Sequence, residues 1–174
     1  MHNIEIEQSK LQRLKKIKLV ITDVDGVLTD GGLYYSSEGL VMKKFNVKDG
    51  MGTRLLRESG IRVGIITTDG ETESILKKRA ERLKLDFLYT GIWQKEEKLN
   101  EICNMFGLDF ENIAFIGDDV NDLSVMEKVG FTAVPADAID SVKAKADLVL
   151  NSKGGEGAFR EFADLLISFL NTAS

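Results

Sequence analysis

The sequence predicts an α/β fold with a doubly wound, mostly parallel sheet. Short apolar runs alternate along the chain with stretches of helical periodicity, a pattern that is typical of β-α-β units. The apolar runs are continuous, which indicates strands that helices cover on both faces. The chain has 174 residues, 43% of them hydrophobic, and is therefore expected to form one domain over residues 1–174.

The predicted elements follow one another in regular order. Strands are predicted near 18–22, 62–67, 87–89, 113–116, 132–134 and 148–150. Helices are predicted near 51–59, 72–83, 95–106, 123–129, 139–145 and 158–169. The segment 32–45 departs from this order, because it contains two short strand-like runs around a Ser-Glu-Gly turn. It is expected to form a β-hairpin flap beside the first strand.

Composition argues against several classes of function. The net charge of -5 leaves no basic stripe to neutralise the phosphates of a nucleic acid. No apolar run approaches the roughly 20 residues of a membrane span, and no export signal is visible, so a cytoplasmic location is predicted. The single cysteine, Cys103, is expected to be a buried thiol. The single histidine, His2, lies in an expected frayed tail, which argues against a histidine base or a His-containing zinc site.

Two carboxylates follow the first predicted strand directly. Asp23 and Asp25 are spaced i, i+2, and side chains at this spacing on an extended chain point the same way. Because two crowded carboxylates require a cation or a shared proton, the pair is typical of a magnesium-dependent phosphoryl-transfer site. The alternative is that Asp25 and Gly26 form a polar turn after a core strand.

A second acidic cluster lies far away in the sequence. Asp118, Asp119 and Asp122 follow the apolar run 113–116 just as the first pair follows its strand. Thr67 stands at the end of another predicted strand. Ligands of open α/β sheets bind beyond the carboxyl ends of the strands, so these side chains are expected to lie near one edge of the sheet. Two such clusters favour a functional site over two unrelated turns.

Four segments together resemble the motifs of the haloacid dehalogenase superfamily of phosphatases. They are Asp-Val-Asp-Gly-Val-Leu-Thr-Asp-Gly at 23–31, Ile-Ile-Thr at 65–67, Lys95, and Gly-Asp-Asp-Val-Asn-Asp at 117–122. Their order and spacing match over nearly the whole chain, which implies a Rossmann-like core. The absence of a large cap, with only the hairpin inserted after the first motif, resembles the subfamily that acts on 3-deoxy-ulosonic acid phosphates.

The resemblance implies roles for the acidic residues. Asp23 is expected to be the nucleophile that forms an aspartyl-phosphate, and Asp25 the general acid and base. Mg2+ is expected to be held by Asp23, the backbone carbonyl of Asp25, and Asp118. Asp122 is expected to hold these ligands in position without contacting the ion directly. Hard oxygen ligands of this kind suit magnesium.

Two further implied roles have neighbouring alternatives. Thr67 is expected to hydrogen-bond a phosphoryl oxygen, although a β-branched strand residue is its structural alternative. Thr68 could take the same role, because the following loop is about two residues longer than is usual for the family. Lys95 is expected to offset the charge of the nucleophile and the phosphoryl group, with Lys98, one turn later on the same helix, as its alternative.

The resemblance also implies substrate contacts outside the motifs. In the subfamily, a Gly-Gly-x-Gly-Ala-x-Arg-Glu segment like that at 154–161 reaches the active site of a neighbouring subunit, in a tetramer built around the hairpins. A homotetramer is therefore expected, with the tail 152–174 contributing to the site. A glycine loop before a helix is the alternative for this segment. The candidate substrate-binding residues are Gly26, Lys48, Asp49, Thr68, Glu71, Arg79, Gly155 and Arg160.

The implied substrate is a 3-deoxy-ulosonic acid that carries a terminal phosphate. The leading candidate is the eight-carbon 3-deoxy-D-manno-octulosonate 8-phosphate of lipopolysaccharide precursor biosynthesis. Glu71, however, stands where octulosonate enzymes tend to carry arginine, and is more similar to relatives that act on nine-carbon nonulosonate 9-phosphates. Arg79 suits a sugar carboxylate by bidentate pairing. Solvated helix surface is the alternative for both residues.

Two other classes of function compete with a phosphatase. A sugar-phosphate mutase also uses an aspartyl-phosphate, but mutases of the superfamily usually need a cap, and no stretch here is long enough to form one. The second is a catalytically silent oligomeric module. The presence of Asp25 argues against this second class, because a metal-binding scaffold does not need an acid and base.

Overall fold

The structure is a computed structural model that describes residues 7–171. The expectation for His2, and the last residues of the predicted tail at 172–174, lie outside this range. Within it, Cys103 is a buried free thiol, as predicted. Over the same range no helix is long and apolar enough to cross a membrane.

Eight strands form one large sheet and one hairpin over the described range. In chain order they are β1 (Leu19–Thr22), β2 (Tyr34–Ser36), β3 (Gly39–Met42), β4 (Arg62–Ile66), β5 (Phe87–Tyr89), β6 (Ile113–Ile116), β7 (Phe131–Val134) and β8 (Leu148–Val149). The large sheet has the order β5-β4-β1-β6-β7-β8, and every neighbouring pair is parallel. The predicted α/β fold with a parallel sheet is therefore confirmed.

Helices cover both faces of this sheet. They are α1 (Gln8–Leu14), α2 (Val47–Glu58), α3 (Glu73–Leu83), α4 (Lys98–Phe106), α5 (Leu123–Met126), α6 (Asp140–Lys143) and α7 (Ala158–Asn171). Buried residues of α1, α2, α3 and α7 share a hydrophobic cluster with Val20 of β1. Residues of α4, α5 and α6 share the other cluster with Ile21, the next residue of the same strand. Because successive strand residues face opposite sides, β1 has helices on both faces.

Several helix boundaries differ from the sequence expectation, and α5 and α6 are shorter than the predicted helices 123–129 and 139–145. The sequence does not predict α1. Helix α2 begins at Val47 instead of 51, because Asn46 caps it by accepting a hydrogen bond from the Lys48 N–H at 2.9 Å. The predicted helix 95–106 divides into a 3-10 turn at Lys95–Glu97 followed by α4. Such turns are frequent at helix N-termini.

Strands β2 and β3 form the predicted antiparallel hairpin, which we call the flap. The flap presents large apolar side chains to solvent, and those exposed are Leu33, Tyr34, Tyr35, Val41 and Met42. Several exposed apolar side chains on one hairpin are typical of an interaction site.

The strand order places a switch point between β1 and β6. From β1 the sheet extends through β4 and β5 in one direction, and through β6, β7 and β8 in the other. In open α/β sheets the crevice at such a point is where ligands bind. Asp23 follows β1 and Asp118 lies just beyond β6, so both acidic clusters border this crevice.

Candidate active site

The end of β1 presents the two predicted carboxylates. Asp23 is buried, and its Oδ1 accepts a hydrogen bond from the Val24 N–H at 2.7 Å. Asp25 has a third of its side chain exposed (33%). Both residues line a cavity of about 320 Å³ together with Thr68 and Asp118. The cavity lies beyond the carboxyl ends of the strands, where the sequence predicts the site.

Two glycines allow the acidic segments to approach each other. At Gly26, whose φ is +80°, a Cβ would lie 2.0 Å from Asp118 Oδ2. At Gly117 a Cβ would lie 2.3 Å from Asp122 Oδ2. Any side chain at either position would push a carboxylate away from the cluster. Gly26, which the sequence offers as a substrate-binding residue, therefore makes room for Asp118.

Lys95 bridges the two acidic segments. Its side chain is fully buried, and its Nζ lies 2.7 Å from Asp23 Oδ2 and 2.6 Å from Asp122 Oδ1. The alternative candidate, Lys98, instead pairs with a surface glutamate. Of the two lysines, Lys95 is thus the one that contacts the acids.

Burial and mutual repulsion raise the pKa values of two acids in this cluster. Desolvation raises the pKa of Asp118 to about 8, and the charges of Asp23 and Asp122 add to the effect. Desolvation also raises the pKa of Asp23 to about 6, although the charge of Lys95 opposes it. For Lys95 itself, burial lowers the pKa, but the two neighbouring carboxylates outweigh burial and raise it. The cluster carries more negative charge than one lysine neutralises, which favours a further cation.

The same acids fit a divalent cation. Carboxylate oxygens of Asp23, Asp118 and Asp122 lie within 4.8 Å of one another. Asp122 has both oxygens engaged, Oδ1 with Lys95 and Oδ2 with the Asp118 N–H at 2.9 Å. Asp23 and Asp118, in contrast, line the cavity. An all-oxygen donor set of this kind suits Mg2+, with Asp122 placed to hold the other two acids in position.

The sequence of this chain is similar to those of known hydrolases. The model of the haloacid dehalogenase-like hydrolase family matches residues 69–161. The 3-deoxy-D-manno-octulosonate 8-phosphate phosphatase KdsC of Haemophilus influenzae is 40% identical over 156 residues, which cover 90% of this chain and 86% of that protein. The chain belongs to the haloacid dehalogenase-like hydrolases.

Solved structures of similar hydrolases have the same fold. The cobalt-bound form of the phosphatase from Haemophilus influenzae has a TM-score of 0.88 and 38% identity, and the match covers 92% of both chains. The phosphatase from Moraxella catarrhalis, solved in complex with a magnesium ion, a phosphate ion and a KDO molecule, has a TM-score of 0.88 and 34% identity. That match covers 94% of this chain and 92% of the other.

The sequence does not predict Lys43, Asp69 or Asp137 at the site of this hydrolase, although Asp137 lines the cavity and Lys43 contacts Asp25 and Asp69. Lys43, directly after β3 of the flap, has its Nζ 2.6 Å from Asp25 Oδ1 and 2.9 Å from Asp69 Oδ2. Its side chain is almost fully buried, whereas that of the next residue, Lys44, is exposed. The available sequence signal is the pair of adjacent lysines at the end of a strand, where successive side chains face opposite sides.

The two threonine candidates of the hydrolase are placed differently. Thr68 lines the cavity beside Asp25. Thr67 is buried, and its Oγ1 accepts a hydrogen bond from the Asp69 N–H at 3.2 Å. Thr67 therefore shapes the loop after β4, whereas Thr68 borders the cavity.

Two further candidates lie around the rim of the hydrolase site. Glu71 is exposed, and its Oε2 accepts a hydrogen bond from the Tyr35 hydroxyl of the flap at 3.3 Å. Gly155, with a φ of +68°, packs against the loop after β1, where a Cβ would lie 2.4 Å from the Asp30 nitrogen. The glycine segment of the tail therefore contacts the active-site loop of its own chain.

Four other candidates are not brought to the acidic cavity within one chain. Lys48 and Arg160 line a separate cleft of about 430 Å³. Asp49 accepts a hydrogen bond from the Arg160 N–H at 2.9 Å, and Arg79 donates to the Asn46 carbonyl at 3.3 Å. None of these four residues lines the cavity that Asp23 and Asp25 line.

Proposed function

We propose that this chain is a Mg2+-dependent phosphatase that hydrolyses 3-deoxy-D-manno-octulosonate 8-phosphate to the free sugar acid and inorganic phosphate. The main observation behind this proposal is that Asp23 contacts Lys95 and lines one cavity together with Asp25 and Asp118 at the strand ends. Relatives named for this activity, at 40% identity over 90% of the chain, support the substrate.

In the first step, a carboxylate oxygen of Asp23 attacks the phosphorus, and the bond from phosphorus to the sugar oxygen breaks. This gives an aspartyl-phosphate. Asp25 donates its proton to the departing sugar oxygen, which leaves as an alcohol. Lys95 keeps its positive charge beside Asp23 and offsets the negative charge that the nucleophile and the phosphoryl group bring together.

In the second step, Asp25 accepts a proton from water, and the water oxygen attacks the phosphorus. The bond to Asp23 breaks, which releases inorganic phosphate and restores the carboxylate. Mg2+, which Asp23, the backbone carbonyl of Asp25 and Asp118 would hold, supplies positive charge that offsets the charge of the transferred group. Thr67 or Thr68 hydrogen-bonds a phosphoryl oxygen.

Steady-state assays with Mg2+ and the eight-carbon sugar phosphate test this proposal. Asp23→Asn should lower kcat by at least about 10⁴-fold, because it removes the nucleophile. Asp25→Asn should lower kcat by about 10²–10⁴-fold, because it removes the acid and base. Circular dichroism should show folded protein for both variants. Undiminished turnover in either variant would remove that residue from its role, and formation of an isomerised sugar phosphate would point to a mutase.

A nine-carbon nonulosonate 9-phosphate is the second candidate substrate. The observation that favours it is Glu71, an acid at the rim of the site that contacts the flap through Tyr35. The measurement that decides between the substrates is the ratio of their kcat/KM values. If the eight-carbon substrate is the physiological one, its kcat/KM should be the higher by at least about tenfold.

We also propose that the chain forms one domain and assembles as a cytoplasmic homotetramer through its flaps, in lipopolysaccharide precursor biosynthesis. The exposed apolar surface of the flap supports this assembly. Light scattering after size-exclusion chromatography should give four times the 19.3 kDa mass of one chain. The double substitution Val41→Asp and Met42→Asp should shift the protein to smaller species, and an unchanged mass would argue against the flap as the interface.

A further inference from the structure

Lys43 is buried in an otherwise exposed flap. Lys43 is 7% exposed, whereas the preceding Met42 is 54% exposed. A lysine ammonium group is rarely removed from water unless carboxylates compensate for the lost hydration. The position of Lys43 therefore depends on the acids that it contacts.

The first of these acids is Asp25. The Lys43 Nζ lies 2.6 Å from Oδ1 and 2.5 Å from Oδ2 of this carboxylate. The Thr29 hydroxyl donates a further hydrogen bond to Asp25 Oδ1 at 3.0 Å. Together these contacts hold the Asp25 carboxyl group from the flap side and from the following loop, and they restrict its rotation.

The second acid is Asp69, on the loop between β4 and α3. Its Oδ2 lies 2.9 Å from the Lys43 Nζ. Its Oδ1 accepts hydrogen bonds from the Glu71 N–H at 2.8 Å and from the Thr72 N–H at 3.2 Å, so the backbone fixes this carboxylate. Asp69 thus anchors Lys43 to a part of the chain outside the flap.

We infer that Lys43 is a positioning residue that aims the Asp25 carboxyl group at the leaving-group oxygen, with Asp69 as its anchor. This role rests on the proposed function, since it presupposes that Asp25 transfers a proton. In the first step the proton passes from an Asp25 oxygen to the sugar oxygen as the phosphorus–oxygen bond breaks. Asp69 gives Lys43 a charged partner throughout this transfer, so Lys43 can stay in place while Asp25 exchanges its proton.

The dependence of catalysis on the leaving group separates positioning from a general structural role. A sugar alkoxide is a poor leaving group that needs the proton, whereas 4-nitrophenolate and acetate are good leaving groups that need it little. Lys43→Met should therefore lower kcat/KM for the sugar phosphate by about 100-fold. The loss for 4-nitrophenyl phosphate or acetyl phosphate, whichever the wild type hydrolyses faster, should be less than about tenfold.

Four further variants serve as controls for this test. Asp25→Asn should show the same selective loss, and Lys43→Arg should restore part of the activity toward the sugar phosphate. Tyr35→Phe removes a different contact between the flap and the β4–α3 loop and should leave the ratio of the two kcat/KM values unchanged. Lys145→Met, at an exposed ion pair with Glu127, should behave as the wild type.

Three outcomes would contradict the positioning role of Lys43. Equal losses of Lys43→Met on both substrates, or no loss on either, would overturn the positioning role. A selective loss in Tyr35→Phe of the same size would also overturn it, because flap closure alone would then explain the effect. Failure of the wild type to hydrolyse any of these phosphates would instead count against the proposed function itself.

Discussion

Two buried lysines in this protein each bridge a pair of aspartates, and the two bridges are built in different ways. Lys95 connects Asp23 and Asp122, whose side chains are 6% and 0% exposed. Lys43 connects Asp25 and Asp69, whose side chains are 33% and 12% exposed. The first bridge lies at the ends of core strands, and the second joins the flap to two loops.

This difference separates two requirements of phosphoryl transfer. In the first bridge, Lys95 and Asp122 lie where water does not reach and electrostatic interactions are strong, and Asp23 borders the cavity. The Lys43 bridge leaves one acid partly open to the cavity, where a substrate oxygen and a water molecule must both have access. Two buried lysines can therefore have different roles at one site. Lys95 provides charge beside Asp23, and Lys43 orients the Asp25 carboxyl group.

The largest expected effect comes from Lys95→Met. Loss of the lysine leaves Asp23 and Asp122 buried without a counter-charge, so the free energy of unfolding should fall by about 3–5 kcal/mol. Lys43→Met should lower it by only about 1–2 kcal/mol, because water can reach the acids that it leaves. Urea unfolding of both variants in a chelating buffer measures the difference. Equal losses would show that the two bridges contribute equally to stability. Added Mg2+ should recover part of the loss for Lys95→Met.

An effect of intermediate size is expected at Asp49, a buried acid that has no lysine bridge. Burial raises the pKa of Asp49 from 3.8 to about 6, and its Oδ2 has no hydrogen-bond partner within residues 7–171. Because the folded state prefers the protonated acid, this preference stabilises the fold below pH 3.8 and is lost as the pH rises through about 6. A shift of this size corresponds to about 3 kcal/mol.

Asp49→Asn tests this pH dependence. The variant keeps an amide oxygen that can accept the Arg160 N–H but cannot ionise. Relative to the variant, the wild type should therefore lose stability between pH 4 and pH 7, as measured by urea unfolding at several pH values. If the difference in the free energy of unfolding between the two proteins is constant over this range, the fold does not raise the pKa of Asp49.

The smallest effects are expected for substitutions of Thr67 and Thr68, and they distinguish the roles of these two threonines. Thr68→Ala should lower kcat/KM by about tenfold with little change in stability, because Thr68 lines the cavity. Thr67→Ala should chiefly lower the free energy of unfolding, by about 1–2 kcal/mol, because its hydroxyl accepts the Asp69 N–H. A larger loss of kcat/KM in Thr67→Ala than in Thr68→Ala would indicate that Thr67 contacts the phosphoryl group.

The sequence predicts the sheet well, because its strands are continuous apolar runs. The predicted strands 87–89 and 113–116 match β5 and β6 residue for residue. Helix ends are predicted less well, because they depend on caps. The α2 start is an example, because Asn46 caps the helix at Val47, four residues before the predicted start at 51.

The sequence was enough to predict the parallel sheet and the edge of it where the acids lie, because residues that follow parallel strands share one edge whatever surrounds them. The two lysine bridges, in contrast, are visible only in the folded structure. That structure shows that Lys95 contacts the acids where Lys98 does not, and that Lys43 of the flap reaches Asp25 and Asp69. Whether a lysine lies in solvent or between two carboxylates depends on how distant segments fold together, and local periodicity does not contain that information.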